Sequence, residues 1–287
     1  MFICTEKLSH TYMPGTPFAV EALRGVDLSI ARGSFTVLLG PSGSGKSTLL
    51  QHFNGLLRPT AGRVLLDGQP LGYGRRELQQ LRRRVGLVFQ EPEAQFFSET
   101  LFDEVAFAPR NFGLEPALVE ERVEQALQQV GLDDPVLKER SPFQLSAGQQ
   151  RLAAIASVLA MQPQVMIFDE PTSGLDQAGQ QKLFALLQRL NRVSGLTVVV
   201  VTHRLERVVP LADYFLVLDR GRLLMEGPPE EIFLRVEELR RCGLALPPVT
   251  ELMNDLVAAG LPFSTTLYSL EEARREINAW RKKVAYP

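Results

Sequence analysis

Two stretches of this sequence carry groups whose type and spacing suit chemistry on phosphate. In Val165-Met166-Ile167-Phe168-Asp169-Glu170, four apolar residues lead into two adjacent carboxylates. Alone, such a run could be a core strand leaving the interior. Upstream, Gly40-Pro41-Ser42-Gly43-Ser44-Gly45-Lys46-Ser47-Thr48 matches the phosphate-loop pattern G-x-x-x-x-G-K-[ST] in full. Phosphate oxygens need many converging N–H donors. Glycines at 40, 43 and 45 let the backbone curl closely, and the dipole of a following helix adds to them. Lys46 supplies positive charge, and the Ser47 hydroxyl is the expected ligand for a Mg2+ ion bridging the terminal phosphates. Asp169 is then expected to anchor that ion through its outer sphere or a water, and Glu170 to polarise the attacking water. Adjacent strand residues point to opposite sides, so one carboxylate can face the metal and the other the water. The competing readings are a plain glycine-rich turn at 40–48 and a solvated strand end at Glu170; the spacing and the Lys-Ser pair favour phosphate.

These groups need strands and helices to hold them. Gly25–Ile30 alternates by period two, and Phe35–Leu39 runs apolar into the glycine loop. A helix is predicted from Lys46 to about Asn54, with Gly55 as its C-terminal cap before Pro59. Further strands are predicted at 63–66, 85–89, 165–168, 197–201 and 214–218, with a helix over 177–191. From Gln90 to about Gln162 the pattern turns helical, as in Val119, Val123, Leu127 and Val130. Strands alternating with helices imply a mainly parallel sheet. After Pro247-Pro248 two amphipathic helices are predicted, at 251–259 and 270–283. The second has a capping box of Ser269 and Glu272, with Leu270, Ala273, Ile277, Trp280 and Val284 on one face. It could pack on its own domain or serve as a subunit contact. Arg82, Arg83 and Arg84 read as a solvated basic face.

Composition bounds the function. The 287 residues are 45% hydrophobic with net charge −2, enough for one large domain plus an appendage and without a field that draws nucleic acid. Cys4 and Cys242 stand far apart without histidines at ligand spacing, which fits a reducing compartment. No leader and no run long enough to span a bilayer is seen, so any membrane role is expected to come through partners.

Two further stretches narrow the class. Leu145-Ser146-Ala147-Gly148-Gln149-Gln150-Arg151 precedes the acid-tipped run, and Asp169-Glu170-Pro171-Thr172-Ser173-Gly174-Leu175-Asp176 continues from it. With Gln90 and His203, they make residues 1–240 resemble the ATPase subunit of an ATP-binding cassette (ABC) protein. The resemblance implies an α/β phosphate-loop NTPase of the ABC ATPase fold: a mainly parallel core sheet, an N-terminal antiparallel β part, a helical subdomain and here a small helical C-terminal extension. It implies ATP and Mg2+, and a dimer in which one subunit's phosphate loop and another's signature segment enclose the nucleotide. Leu145, Ser146, Ala147, Gly148 and Gln149 would be that segment, with Ser146 and Gly148 meeting the γ-phosphate of the partner's ATP. Ser146 is equally an ordinary helix N-cap. In the same reading Gln90 touches Mg2+ and the water, Asp176 contacts across the dimer, and His203 holds the γ-phosphate and water. The expected catalytic residues are therefore Glu170, His203 and Gln90, and the metal ligands Ser47, Gln90 and Asp169. Tyr12 is expected to stack on adenine, a contact worth about 1–3 kcal/mol, or else to pack on the N-terminal sheet. Ala147 departs from the family's usual glycine, which is tolerable at negative φ.

Val88–Phe97 (VFQEPEAQFF) and Leu101–Phe107 (LFDEVAF), with Pro109, resemble the ATPases of energy-coupling factor (ECF) importers, although Ala108 replaces the usual glycine. That resemblance implies a second ABC ATPase subunit, identical or paralogous, an integral membrane coupling subunit in a groove beside Gln90, and a membrane subunit capturing a vitamin or a cobalt or nickel ion. It places the chain peripherally on the cytoplasmic face of the cell membrane. Phe96, Phe97, Leu101 and Phe102 could line the groove or pack the insertion's core. The implied organisation is an ATPase domain at 1–242 with a helical subdomain at about 91–162, and a possible dimerisation extension at 243–287. The alternatives are the ATPase of another ABC transporter class, or a soluble cassette working on nucleic acid or ribosomes. Against the latter, Lys46 and Ser146 are joined by a short insertion without heptads, and the chain holds one cassette. A non-hydrolytic cassette is unsupported, since Lys46, Gln90, Asp169, Glu170 and His203 are all present.

Overall fold

A computed structural model of the chain describes residues 1–265 and 267–285. Its strands, in chain order, are β1 (Ile3–Tyr12), β2 (Val20–Ile30), β3 (Phe35–Leu39), β4 (Ala61–Leu66), β5 (Gln69–Pro70), β6 (Val85–Val88), β7 (Val165–Asp169), β8 (Thr197–Val201), β9 (Tyr214–Asp219) and β10 (Arg222–Gly227). They form an antiparallel sheet of order β2-β1-β4-β5 and a six-stranded sheet of order β10-β9-β3-β8-β7-β6. In the latter β9, β3, β8, β7 and β6 run parallel, and β10 folds back antiparallel on β9. The mainly parallel core and the N-terminal antiparallel part are both as the sequence predicts.

The large sheet is covered on both faces, which is why β3 and β8 are buried at every residue. Alternate side chains serve different cores. Phe35, Val37, Met166, Phe168, Val198 and Val200 join one cluster; Leu38, Val165, Ile167, Val199 and Val201 join the other. Each such side chain contributes about 1.5–3 kcal/mol by leaving water. The second cluster holds Leu49, Leu50 and Phe53 of helix Lys46–Phe53 together with the antiparallel sheet. The first takes helix Gln177–Arg192 and the helical insertion between β6 and β7, chiefly Leu101–Asn111, Pro116–Val130 and Ala147–Leu159. Val119, Val123, Leu127 and Val130 are buried as their spacing predicts. Leu101 and Phe96 are also buried in this core; Leu101 lies off the groove beside Phe89, whereas Phe96 lines it together with Phe97, which is 59% exposed.

Helices Pro248–Ala258 and Leu270–Ala285 form a hairpin around Val249, Met253 and Ala273, capped by the predicted Ser269–Glu272 box. Leu270 is 75% exposed and lies off the face its spacing assigns. Trp280 meets the Phe263 ring edge-on at 5.5 Å, while the side chain of Val284 lies outside the described residues. Tyr268 against Phe233, 5.5 Å between rings, joins the hairpin to the rest.

Several elements lie beyond the sequence's expectations, among them β1, β5, β10, helix Arg75–Arg84 and the short helices Leu205–Val208, Pro229–Leu234 and Val236–Arg241. Register shifts around Leu8 and His10 break the alternation of β1. Helix Arg75–Arg84 buries Leu81 alone and so has no apolar stripe. Its arginines do more than face solvent: Arg83 donates to Phe112 O at 2.6 Å and Arg84 to Gln164 Oε1 at 2.9 Å.

Candidate active site

Four neighbouring parallel strands deliver the predicted residues to one edge. In the order β3-β8-β7-β6 their carboxyl ends lead to the glycine loop, His203, Asp169-Glu170 and Gln90. This is the edge where open α/β sheets bind ligands. Ser42, Gly43, Lys46, Ser47, Gln90, Asp169, Glu170 and His203 line a single cleft of ≈ 610 Å³.

The loop's backbone is one that only glycine adopts freely. Gly40 has φ +156° and Gly45 φ +102°; a Cβ would stand 2.4 Å from Leu218 O at the first and 2.6 Å from Ala22 O at the second. Gly45 is also the N-cap of helix Lys46–Phe53 and brings no side chain to it, so the helix's first N–H groups stay available to an anion. Ser44 Oγ is buried without a partner. Lys46 Nζ donates to Gly40 O at 2.8 Å and Pro41 O at 2.9 Å, lying across its own loop. Burial lowers its pKa, while Glu170 and Asp169 act in the opposite sense. An uncapped helix end, an orphan hydroxyl and a lysine beside the cleft together fit a phosphate chain. Among the described residues no cluster of three His, Cys, Asp or Glu side chains could hold a metal by itself. A Mg2+ here would therefore draw on the nucleotide's oxygens as well as on Ser47, Gln90 and Asp169, the manner in which this ion is usually held.

The two carboxylates do not divide by strand alternation. β7 ends at Asp169, and Glu170 turns with φ +48°, so both side chains line the same cleft. A left-handed glutamate is strained; Glu170 N–H donates to Val201 O at 3.0 Å and holds it there. Its carboxylate Oε1 lies 3.0 Å from His203 Nε2, yet it accepts no aligned hydrogen bond. Burial pushes the Glu170 carboxyl up, while the His203 ring and backbone N–H pull it down.

Ser146, Ala147, Gly148, Gln149 and Asp176 line a second cleft of ≈ 480 Å³, and Leu145 is buried behind it. None of them reaches the first cleft. Gly174 and Leu175 line both, so the loop after β7 is the partition between the two. Ser146 and Gln149 form a reciprocal capping box, and Asp176 Oδ1 accepts from Gly179 N at 2.7 Å as a helix cap. Ala147 opens its helix at negative φ, so its methyl causes no strain. Tyr12 and Thr48 stand apart from the cleft, their hydroxyls 3.1 Å from one another, and the Tyr12 ring is 39% exposed with its edge to His10.

Sequence reasoning gave Arg151 no role. It is buried on the helix that Ser146 caps, and it donates to Gln90 O at 2.5 Å and Ser173 O at 3.0 Å. The available signal was a charged residue four before Ile155, on the buried stripe of that helix.

Residues 23–173 match the profile of the ABC transporter family. The energy-coupling factor transporter ATP-binding protein EcfA2 of Symbiobacterium thermophilum is 50% identical over 273 residues, 95% of this chain and 94% of that one. EcfA2 of Clostridium perfringens is 41% identical over 96% of this chain and 97% of its own. Among solved structures, cbiO1 of Clostridium perfringens, part of the ABC transporter complex cbiONQ, superposes with TM-score 0.74 and 38% identity over 88% of this chain and 98% of that one. A dimeric ATP-binding cassette in a post-hydrolysis state with ADP and Pi gives TM-score 0.70 and 31% identity, over 79% and 98%.

Proposed function

Since this chain belongs to the ABC transporter family, within it to the energy-coupling factor transporter ATP-binding proteins, and is an ATPase, we propose that it works as one half of a pair. In that pair the phosphate loop of one subunit and the signature segment of the other enclose each ATP. The observation that carries the reading is the separation of the two clefts: Lys46, Ser47, Asp169, Glu170 and His203 line one, Ser146–Gln149 another, and Gly174 and Leu175 stand between. A single chain offers its own nucleotide only one wall.

The loop's N–H groups from 40 to 48 and Lys46 Nζ would take the phosphates, with Nζ leaving its two carbonyls. Bound Mg2+ would neutralise charge on the phosphates, held by Ser47, Gln90 and Asp169. Glu170 polarises the attacking water, and His203, beside it, holds that water and the γ-phosphate. Tyr12 offers its ring to adenine. Asp176 lies where a partner's loop would touch.

Residues 1–242 would form the ATPase domain with its helical subdomain at 91–162, and 243–287 an extension that helps to hold two subunits together. Hydrolysis would drive uptake of a vitamin or a cobalt or nickel ion through an integral coupling subunit and a capture subunit, with this chain peripheral on the cytoplasmic face. No described helix is long and apolar enough to cross a membrane, so membrane work would fall to partners. The docking groove would centre on Phe97 and Phe107, 59% and 44% exposed with rings 4.5 Å apart, beside Phe89 and Pro92. The test is extraction of the chain from membranes with its associated proteins. Two cassette ATPases together with integral subunits are expected; a lone chain hydrolysing ATP at full rate as a monomer would sink the reading.

A further inference from the structure

We propose that Arg151 is a positioning residue that ties the signature helix to Gln90, so that a nucleotide meeting Ser146–Gln149 sets Gln90 in the chain's other cleft. The proposal rests on the reading of Gln90 and the signature segment given above. Arg151 is 3% exposed and sits on the first turns of helix Ala147–Leu159. Its Nη1 donates to Gln90 O at 2.5 Å, its Nη2 donates to Ser173 O at 3.0 Å, and Nη2 stands 3.4 Å from Glu93 Oε1. One guanidinium thus fastens the loop after β6, the turn Pro92–Gln95 and the partition loop after β7 to the helix that carries the signature.

Two atoms of the cluster are left over. Arg151 Nε and Glu93 Oε2 are both buried without a partner. A guanidinium and a carboxylate with one long contact and one unmatched donor and acceptor are half of a bidentate fork. Buried polar atoms are rarely left in this state without a reason. A small slide of the helix against the Pro92–Gln95 turn would bring Nε to Oε2 and complete the fork. Arg151 lies five residues beyond Ser146 on one rigid helix, so a displacement of the signature segment moves the guanidinium with it. In the proposed movement the cluster would pass from this arrangement to a fully paired one, and Gln90 O is bonded directly to the guanidinium that would move.

The test uses the full-length chain, with steady-state ATP hydrolysis in the presence of Mg2+ and hydrogen exchange over residues 90–97 with and without ATP. Arg151→Lys, which keeps the charge and loses the fork, is expected to lower kcat by about a hundredfold and to leave KM within about threefold, the pattern of a contact that matters only in the transition state. Glu93→Gln is expected to lower kcat by about tenfold, and the double variant to be no worse than Arg151→Lys alone. In Arg151→Lys the ATP-dependent exchange of 90–97 should vanish while that of 40–47 persists. An arginine with a merely structural role would lower the unfolding temperature yet leave kcat per folded molecule and the exchange response intact, and that result overturns the proposal. Should Arg151→Lys not fold, Glu93→Gln decides: an unchanged kcat overturns it. Gln90→Ala with full turnover would overturn the reading of Gln90 and the proposal with it. An impaired Gln90→Ala beside a normal Arg151→Lys would overturn the coupling alone.

Discussion

At Glu170 a strained backbone and a buried carboxyl meet. Burial pushes its pKa up against the pull of His203, so the acid limb of a kcat/KM profile, which reports the free protein, is expected above the ordinary carboxylate range, readable from hydrolysis rates at low ATP across pH. Glu170→Gln is expected to bind ATP normally and to lose at least about a hundredfold in turnover, the scale of a missing base. The sign for stability runs the other way. The native state holds this proton more tightly than the unfolded chain, so the ionised form weighs against folding above the folded pKa. Glu170→Gln should raise the unfolding temperature at neutral pH and have little effect in acid. His52 has the opposite linkage. Fully buried and donating through Nδ1 to Thr48 O at 2.7 Å, it is pushed down from 6.5 to about 4, chiefly by burial. Between those values the unfolded chain takes up a proton that the native state refuses. Stability should therefore fall by about 3 kcal/mol as pH drops through that window. Urea unfolding of His52→Leu at several pH values should show that slope flattened.

The phosphate loop and its helix make a sharper test at the scale of an element. Gly45→Ala would meet both φ +102° and the carbonyl of Ala22 at 2.6 Å, and is expected to cost about 2–4 kcal/mol. Gly43→Ala has φ +76° but open space around a Cβ, and should cost about 1–2 kcal/mol while still weakening ATP binding by crowding the cleft. Thermal unfolding with ATP titration separates the two. The sequence foretold these elements where one rule dominated. The apolar runs of β3 and β8 and the Lys46 helix stand at the predicted places, because a strand buried on both faces has no polar positions to confuse its reading. It failed where tertiary contacts supply the reason for an element: bulged β1, the polar helix Arg75–Arg84, and β10 pinned to β9. Of the candidate site, the cleft residues were legible as a phosphate-binding set. The left-handed turn at Glu170 was not, since it follows from a backbone hydrogen bond to β8, more than thirty residues downstream. Arg151 was missed because it bonds the backbone carbonyls of Gln90 and Ser173, which leave no mark in a sequence, and because its carboxylate partner, Glu93, lies on a distant turn.

For the whole molecule, the C-terminal hairpin has a small core of its own and meets the rest through Tyr268 and Phe233. Truncation after Leu246 is expected to leave a folded, ATP-binding chain and to reduce the paired fraction on sizing with ATP; an unchanged fraction would restrict the hairpin to packing on its own subunit. The partition formed by Gly174 and Leu175 reaches further. A wall common to two clefts cannot yield on one side and stay still on the other, so whatever free energy links them is a single quantity felt equally from either side. In the proposed pair each chain would lend one face of that wall to its own ATP and the other to its neighbour's. The two nucleotides of such a pair would then sense each other's arrival, and their binding curve would depart from that of independent sites although the two ATPs never touch.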